Sequence, residues 1–208
     1  MNLKTRRFQL AGPAGVIEAL RDDPLEGESR GTAVIAHPHP LFAGTMDNKV
    51  VQTLARAFVQ CGWSAVRFNF RGVGASEGAH DGGRGELVDM QAVIRHEAAD
   101  GPLAIAGFSF GSFVAAGAVA QLWEQRPIEK IVLIGTAAEN FLVARVPADA
   151  QDATLVVHGE EDDTVPLSAV LDWARPQSLP VTVVPGGGHF FHGQLPLLKS
   201  MVVRHLRS

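Results

Sequence analysis

Short runs of consecutive apolar residues alternate along this chain with longer segments whose apolar positions recur every three or four residues. The runs are TAVIAH (32 to 37), WSAVRFNF (63 to 70), LAIAGFS (103 to 109), KIVLIGT (130 to 136), TLVVHG (154 to 159) and VTVVPG (181 to 186). They are rich in β-branched or aromatic residues and stop at or near Gly, Pro, Ser or His, so they predict strands. The intervening DNKVVQTLARAFVQCG, GRGELVDMQAVIRHEAA, FGSFVAAGAVAQLWEQ and PLSAVLDWARPQ, and the terminal GQLPLLKSMVVRHL, predict helices. Strands that are apolar throughout cannot have one face in water. Joined by helices, they imply a mostly parallel twisted sheet covered on both faces, a three-layer α/β fold. TRRFQLA and GVIEALRD, which precede the first run, read as an extra hairpin at one edge of that sheet.

Composition narrows what such a fold can do. With 208 residues and 46% hydrophobic content, one core suffices, and residues 1 to 208 are expected to form a single domain. A formal net charge of -4 offers no basic field for nucleic acid or an anionic membrane. The start, MNLKTRRFQL, lacks the apolar stretch of a signal peptide, and no segment has the length of a membrane span. Cys61 is the sole cysteine and has no metal-ligand spacing around it. At a helix end, away from the strand ends, it reads as a small apolar residue. A cytoplasmic location is expected, with no metal and no organic cofactor.

In open parallel sheets the chemistry collects where strands turn into helices at their carboxyl ends. One such turn carries GFSFG, residues 107 to 111, between a predicted strand and a predicted helix. A sharp turn there leaves no room for side chains at Gly107 and Gly111 and lifts the Ser109 hydroxyl above the sheet. The bland alternative is a serine that merely caps a helix. The N–H of Phe110, at the helix start, is open to a developing oxyanion.

A serine hydroxyl needs a base, and the base needs a carboxylate to orient it. Two later strands lead into HGEEDDTVP and PGGGHFFHG, giving the order Ser, Asp, His. His189 directly follows GGG and is the expected base, while His192, nearer the last helix, is the alternative. Among the four acids of the first turn, Asp163 and the two glutamates read as a solvated loop.

These motifs together resemble the α/β-hydrolase superfamily from about Thr32 to the last helix. HPHPLFAGTMDN is similar to its oxyanion loop, and VRFNFRGVGASEG to the strand and turn that follow. HPHP with FNFRGVGASEG looks most like a small lidless branch related to dienelactone hydrolase and short-chain serine esterases. The resemblance implies Asp162 as the triad acid. Dienelactone hydrolase has a cysteine nucleophile where this chain has Ser109, so its substrate is not carried over.

Pro38 stands where the oxyanion loop commonly has glycine, and proline has no N–H. The second oxyanion donor is then expected at Leu41, by comparison with dienelactone hydrolase, with His39 as the alternative by counting from His37. The resemblance further implies that His37 and His158 brace the structure, that Arg71, Gly72 and Gly74 shape the turn beside the site, and that Ser76 caps. Only about fifteen residues, AENFLVARVPADAQD, separate two of the strands where many relatives insert a cap, so no large cap is expected. Phe42, Phe141 and Leu142 are the expected substrate-binding residues of an open, shallow site.

The resulting expectation is a carboxylesterase or thioesterase acting on a small-molecule substrate with a small or exposed acyl group, through Ser109, His189 and Asp162. A peptidase, a lactone or dienelactone hydrolase and a perhydrolase would use the same triad, and a non-catalytic binding protein could keep the same fold.

Overall fold

The computed structural model describes residues 4 to 208, so the first three residues of the charged start lie outside the described residues. Eight strands form one sheet. In chain order they are β1 (Thr5–Gly12), β2 (Gly15–Asp22), β3 (Thr32–Ala36), β4 (Ser64–Phe68), β5 (Leu103–Phe108), β6 (Ile128–Ile134), β7 (Thr154–Gly159) and β8 (Thr182–Val184). The spatial order is β1-β2-β4-β3-β5-β6-β7-β8. From β4 to β8 neighbours run parallel, whereas the β1–β2 hairpin joins antiparallel through β2 and β4. The predicted edge hairpin is therefore present.

The helices are α1 (Lys49–Gln60), α2 (Arg84–Glu97), α3 (Phe110–Leu122), α4 (Leu167–Ala174) and α5 (Leu195–Arg207). They divide into two layers because each central strand presents apolar residues to both faces. In β3, Val34 and Ala36 face the same core layer as Met90 of α2, Val114 of α3 and Val170 of α4. Ala33 and Ile35 point the other way, with Leu54 and Phe58 of α1 and Leu198 and Val202 of α5. A strand buried on both faces has no solvent side to make polar, which explains the unbroken apolar runs.

One ionic contact lies within this apolar frame. Arg67 of β4 is buried, and its guanidinium donates to Asp22 Oδ2 of β2 at 3.0 Å and to the Met46 carbonyl at 2.9 Å. The hairpin is thus tied to the parallel sheet by side chains as well as by the ladder.

After the hairpin the chain enters the parallel part of the sheet at β3, moves outward to β4, and returns past β3 to β5. The turns after β3 and β5 consequently diverge at a switch point, where an open α/β sheet leaves a crevice. The former carries His37 to Gly44 and the latter Ser109. Between β6 and β7 the described chain holds only loop and a short 3-10 turn, Ala148–Ala150, so no cap covers the crevice.

Candidate active site

Ser109 sits between β5 and α3 with φ 58° and ψ -120°, a left-handed backbone that non-glycine residues seldom adopt. Its neighbours permit this because they lack side chains. A Cβ on Gly107 would lie 2.2 Å from the Gly111 carbonyl oxygen, and one on Gly111 would lie 2.4 Å from that of Ala36. The second contact also seats the start of α3 against the end of β3, beside the loop that begins at His37. Buried Ser112 pins the turn to the sheet, its hydroxyl donating to the Gly107 carbonyl at 2.8 Å and accepting from the Ile134 N–H at 2.9 Å. Although Ser109 is the N-cap residue of α3, its side chain makes no capping hydrogen bond.

The Ser109 hydroxyl instead meets His189. Oγ and Nε2 are 3.0 Å apart, and His189 Nδ1 lies 2.7 Å from Asp162 Oδ2. All three residues are buried. The other carboxylate oxygen, Oδ1, accepts from the N–H groups of Thr164 and Val165 at 3.0 and 2.7 Å. Burial alone would raise the Asp162 pKa, but the His189 hydrogen bond, the Val165 N–H and the nearby imidazoles outweigh it and hold the carboxyl below its usual range. The arrangement leaves Nε2 facing the hydroxyl and Nδ1–H facing a carboxylate, the orientation a general base requires.

Backbone contacts hold the acid and base turns together. The N–H groups of Glu160 and Glu161 donate to the carbonyls of Val184 and Gly187 at 3.0 and 2.9 Å. A Cβ on Gly159 would lie 2.2 Å from the Gly187 carbonyl oxygen. The Phe108 ring packs 4.9 Å from the His189 ring, and a Cβ on Gly135 would lie 3.4 Å from His189 Cε1.

The two histidines expected to brace the structure do so. His37 Nε2 accepts from the Phe70 N–H at 3.0 Å while Nδ1 donates to the Pro38 carbonyl at 2.6 Å, linking the ends of β3 and β4. His158 Nε2 donates to the Val165 carbonyl at 2.8 Å and stands 3.4 Å from Asp162 Oδ2, behind the acid. Arg71 holds Asp89 of α2 at 2.7 Å, and Gly72 and Gly74 both have positive φ. Ser76 caps no helix. Its hydroxyl donates to the Asn69 carbonyl and accepts from the Glu18 N–H, fastening the turn to β2.

The oxyanion loop departs from the expectation at Leu41. Pro40–Phe42 form a 3-10 turn capped by His39, whose Nδ1 accepts the Leu41 N–H at 3.2 Å. That N–H is already engaged, and the Leu41 side chain is exposed. The N–H groups of His39 and Phe110 have no acceptor among the described residues. Around them the His39 ring packs against those of Phe42 and Phe110, each 4.9 Å away, and Phe141 closes on Phe110 at 5.2 Å. Phe42 and Leu142 are largely exposed, so they edge the site rather than enclose it. Leu142, Val143 and Trp173 line an open groove of about 450 Å³ that shares Phe141 with the site. His192 stands at the rim, its ring 5.9 Å from that of Phe190. Cys61 ends α1, with its sulfur near the Val203 carbonyl.

Sequence reasoning passed over Ser112, and also Glu86, which is fully buried at the start of α2 and accepts the Gly83 N–H at 2.7 Å. Glu86 supplies only the carboxylate half of a capping box, because Gly83 has no side chain to return the bond, so the usual Ser/Thr-x-x-Glu signal is missing.

Residues 42 to 153 match the family described as alpha/beta hydrolase fold. The chain belongs to that family. A lidless α/β serine hydrolase from Xanthomonas campestris is 33% identical to this hydrolase, with a TM-score of 0.87 over 100% of this chain and 95% of its own. An α/β serine hydrolase homologue from Coxiella burnetii is 37% identical, with a TM-score of 0.82 over 97% of each chain. An uncharacterised protein of Rickettsia prowazekii is 32% identical over 86% of the hydrolase and 79% of its own length. Est1E from Butyrivibrio proteoclasticus, solved with ferulic acid bound, is 18% identical with a TM-score of 0.80, covering 96% of the hydrolase and 98% of its own chain, a likeness of fold.

Proposed function

We propose that this hydrolase cleaves an ester or thioester of a small or exposed acyl group through an acyl-enzyme on Ser109. The observation that carries the reading is the hydrogen-bonded series from Ser109 Oγ through His189 to Asp162, at 3.0 and 2.7 Å, built on a turn that strains the serine backbone. Asp162 keeps Nδ1 protonated, so Nε2 is the basic nitrogen. As Ser109 Oγ bonds to the acyl carbon, its proton passes to Nε2 and the carbonyl electrons move onto oxygen. That oxyanion rests on the N–H groups of Phe110 and, in place of Leu41, of His39. Collapse breaks the bond to the leaving alcohol or thiol, which takes the proton from His189. Water repeats the sequence, giving its proton to His189 and releasing the carboxylic acid and Ser109.

The shallow, uncapped crevice supports small or exposed acyl groups over long buried ones. A fluorophosphonate probe is expected to label the wild-type protein and not Ser109→Ala. Equal labelling of the two, read by mass spectrometry, would exclude Ser109 as nucleophile.

A further inference from the structure

We propose that His39 and His80 form a polar subsite that receives a hydroxyl group carried by the substrate close to its scissile carbonyl. The inference rests on the hydrolase reading above and adds a substrate feature to it.

The His80 ring lies 4.7 Å from that of His39 and 5.5 Å from that of Phe110, so the imidazoles flank the residue that follows the nucleophile. Behind His80 stands Glu86, whose carboxylate accepts the N–H groups of Asp81 and Gly83 at 2.9 and 2.7 Å. Glu86 Oε1 is 2.8 Å from His80 Nδ1, off the line of a straight hydrogen bond. Two lone pairs that close would repel, so a proton belongs on Nδ1, and in the neutral ring Nε2 is then the acceptor.

On His39 the tautomer is the opposite one. Nδ1 accepts the Leu41 N–H, so the neutral ring carries its proton on Nε2. Burial, the largest influence, pushes its pKa down against the opposing pull of Glu86 and favours that neutral form. Neither Nε2 has a hydrogen-bond partner among the described residues, and neither is among their sealed-off polar atoms. Among the described residues no group of three His, Cys, Asp or Glu is placed to hold a metal ion, so the pair is not part of such a cluster.

The two rings thus present one donor and one acceptor beside aromatic walls. A hydroxyl supplies the complement of both. A carboxylate accepts but cannot donate, and it would face the fixed charge of Glu86. An alkyl group would strip water from both nitrogens and return nothing.

The test compares kcat/KM for p-nitrophenyl butyrate with its β-hydroxybutyryl and succinyl counterparts, and for ethyl butyrate with its hydroxyethyl ester, so that either side of the ester can carry the hydroxyl. A hydroxyl on one side is expected to raise kcat/KM about tenfold in the wild type, with no gain from the carboxylate. The ratio should fall to about one in His80→Phe and persist in part in His80→Gln. In Ser109→Ala, β-hydroxybutyrate should shift the imidazole resonances of His39 and His80 where butyrate does not, a reading independent of any change at His80. No hydroxyl preference in the wild type, an undiminished preference in His80→Phe, a preference for the carboxylate, or equal resonance shifts would overturn the subsite. Failure of Ser109 to label would instead overturn the hydrolase mechanism.

Discussion

Ser109 holds a backbone conformation that costs of order 1–3 kcal/mol and survives only where the surroundings enforce it. Here the enforcing groups are Gly107, Gly111 and the Ser112 hydroxyl, none of which reacts. His37 shows a different single-residue effect. Both its nitrogens are engaged in the interior, and burial lowers its pKa from the usual 6.5 to about 4. Between those values the unfolded chain binds a proton that the folded one refuses, so stability falls as pH drops through that interval. At about 1.4 kcal/mol per pH unit the loss approaches about 3 kcal/mol by pH 4. His205, also lowered to about 4, acts in the same direction. Urea midpoints measured from pH 7 to 4 should decline steeply in the wild type and less steeply in His37→Gln. Parallel declines would mean that His37 takes up its proton without unfolding.

The turns that follow the strands do what the strands cannot, bringing distant parts of the chain within hydrogen-bond reach of each other. The acid and base turns meet because Gly159 and Gly187 have no side chains to hold them apart. Gly159→Ala should therefore lower kcat about a hundredfold by parting Asp162 from His189, a misplacement of about 1 Å being sufficient. Unchanged kcat in a folded variant would show that the turns have slack.

Such turns were also the most legible part of the chain. GFSFG, HGEEDDTVP and PGGGH could be read because each steric demand falls on neighbouring letters. The Leu41 N–H could not be read, because its availability depends on where the His39 imidazole turns. Nor could Arg67, a charge inside an apolar run whose partner Asp22 is in another strand. The contact of His80 with Glu86 needed the helix and its preceding loop to be placed together. Local backbone demands are written in sequence, whereas the direction of a side chain is decided by what arrives from elsewhere.

At the scale of the molecule, a two-sided core of apolar strands and helices places the β3 and β5 turns side by side at the switch point. The hairpin extends the sheet on the far side of β4, away from that crevice. Between β6 and β7 the described chain spans the distance with loop and one short turn. Because no described segment between β6 and β7 folds over the crevice, the proposed acyl-enzyme stands in contact with bulk solvent, and the choice of what relieves it of the acyl group passes to the medium. Added methanol should then divert product into methyl ester in a fraction that rises smoothly with its concentration, as measured by chromatography of products. A fraction pinned near zero while total turnover is maintained would show that the protein, rather than the solution, selects the acceptor.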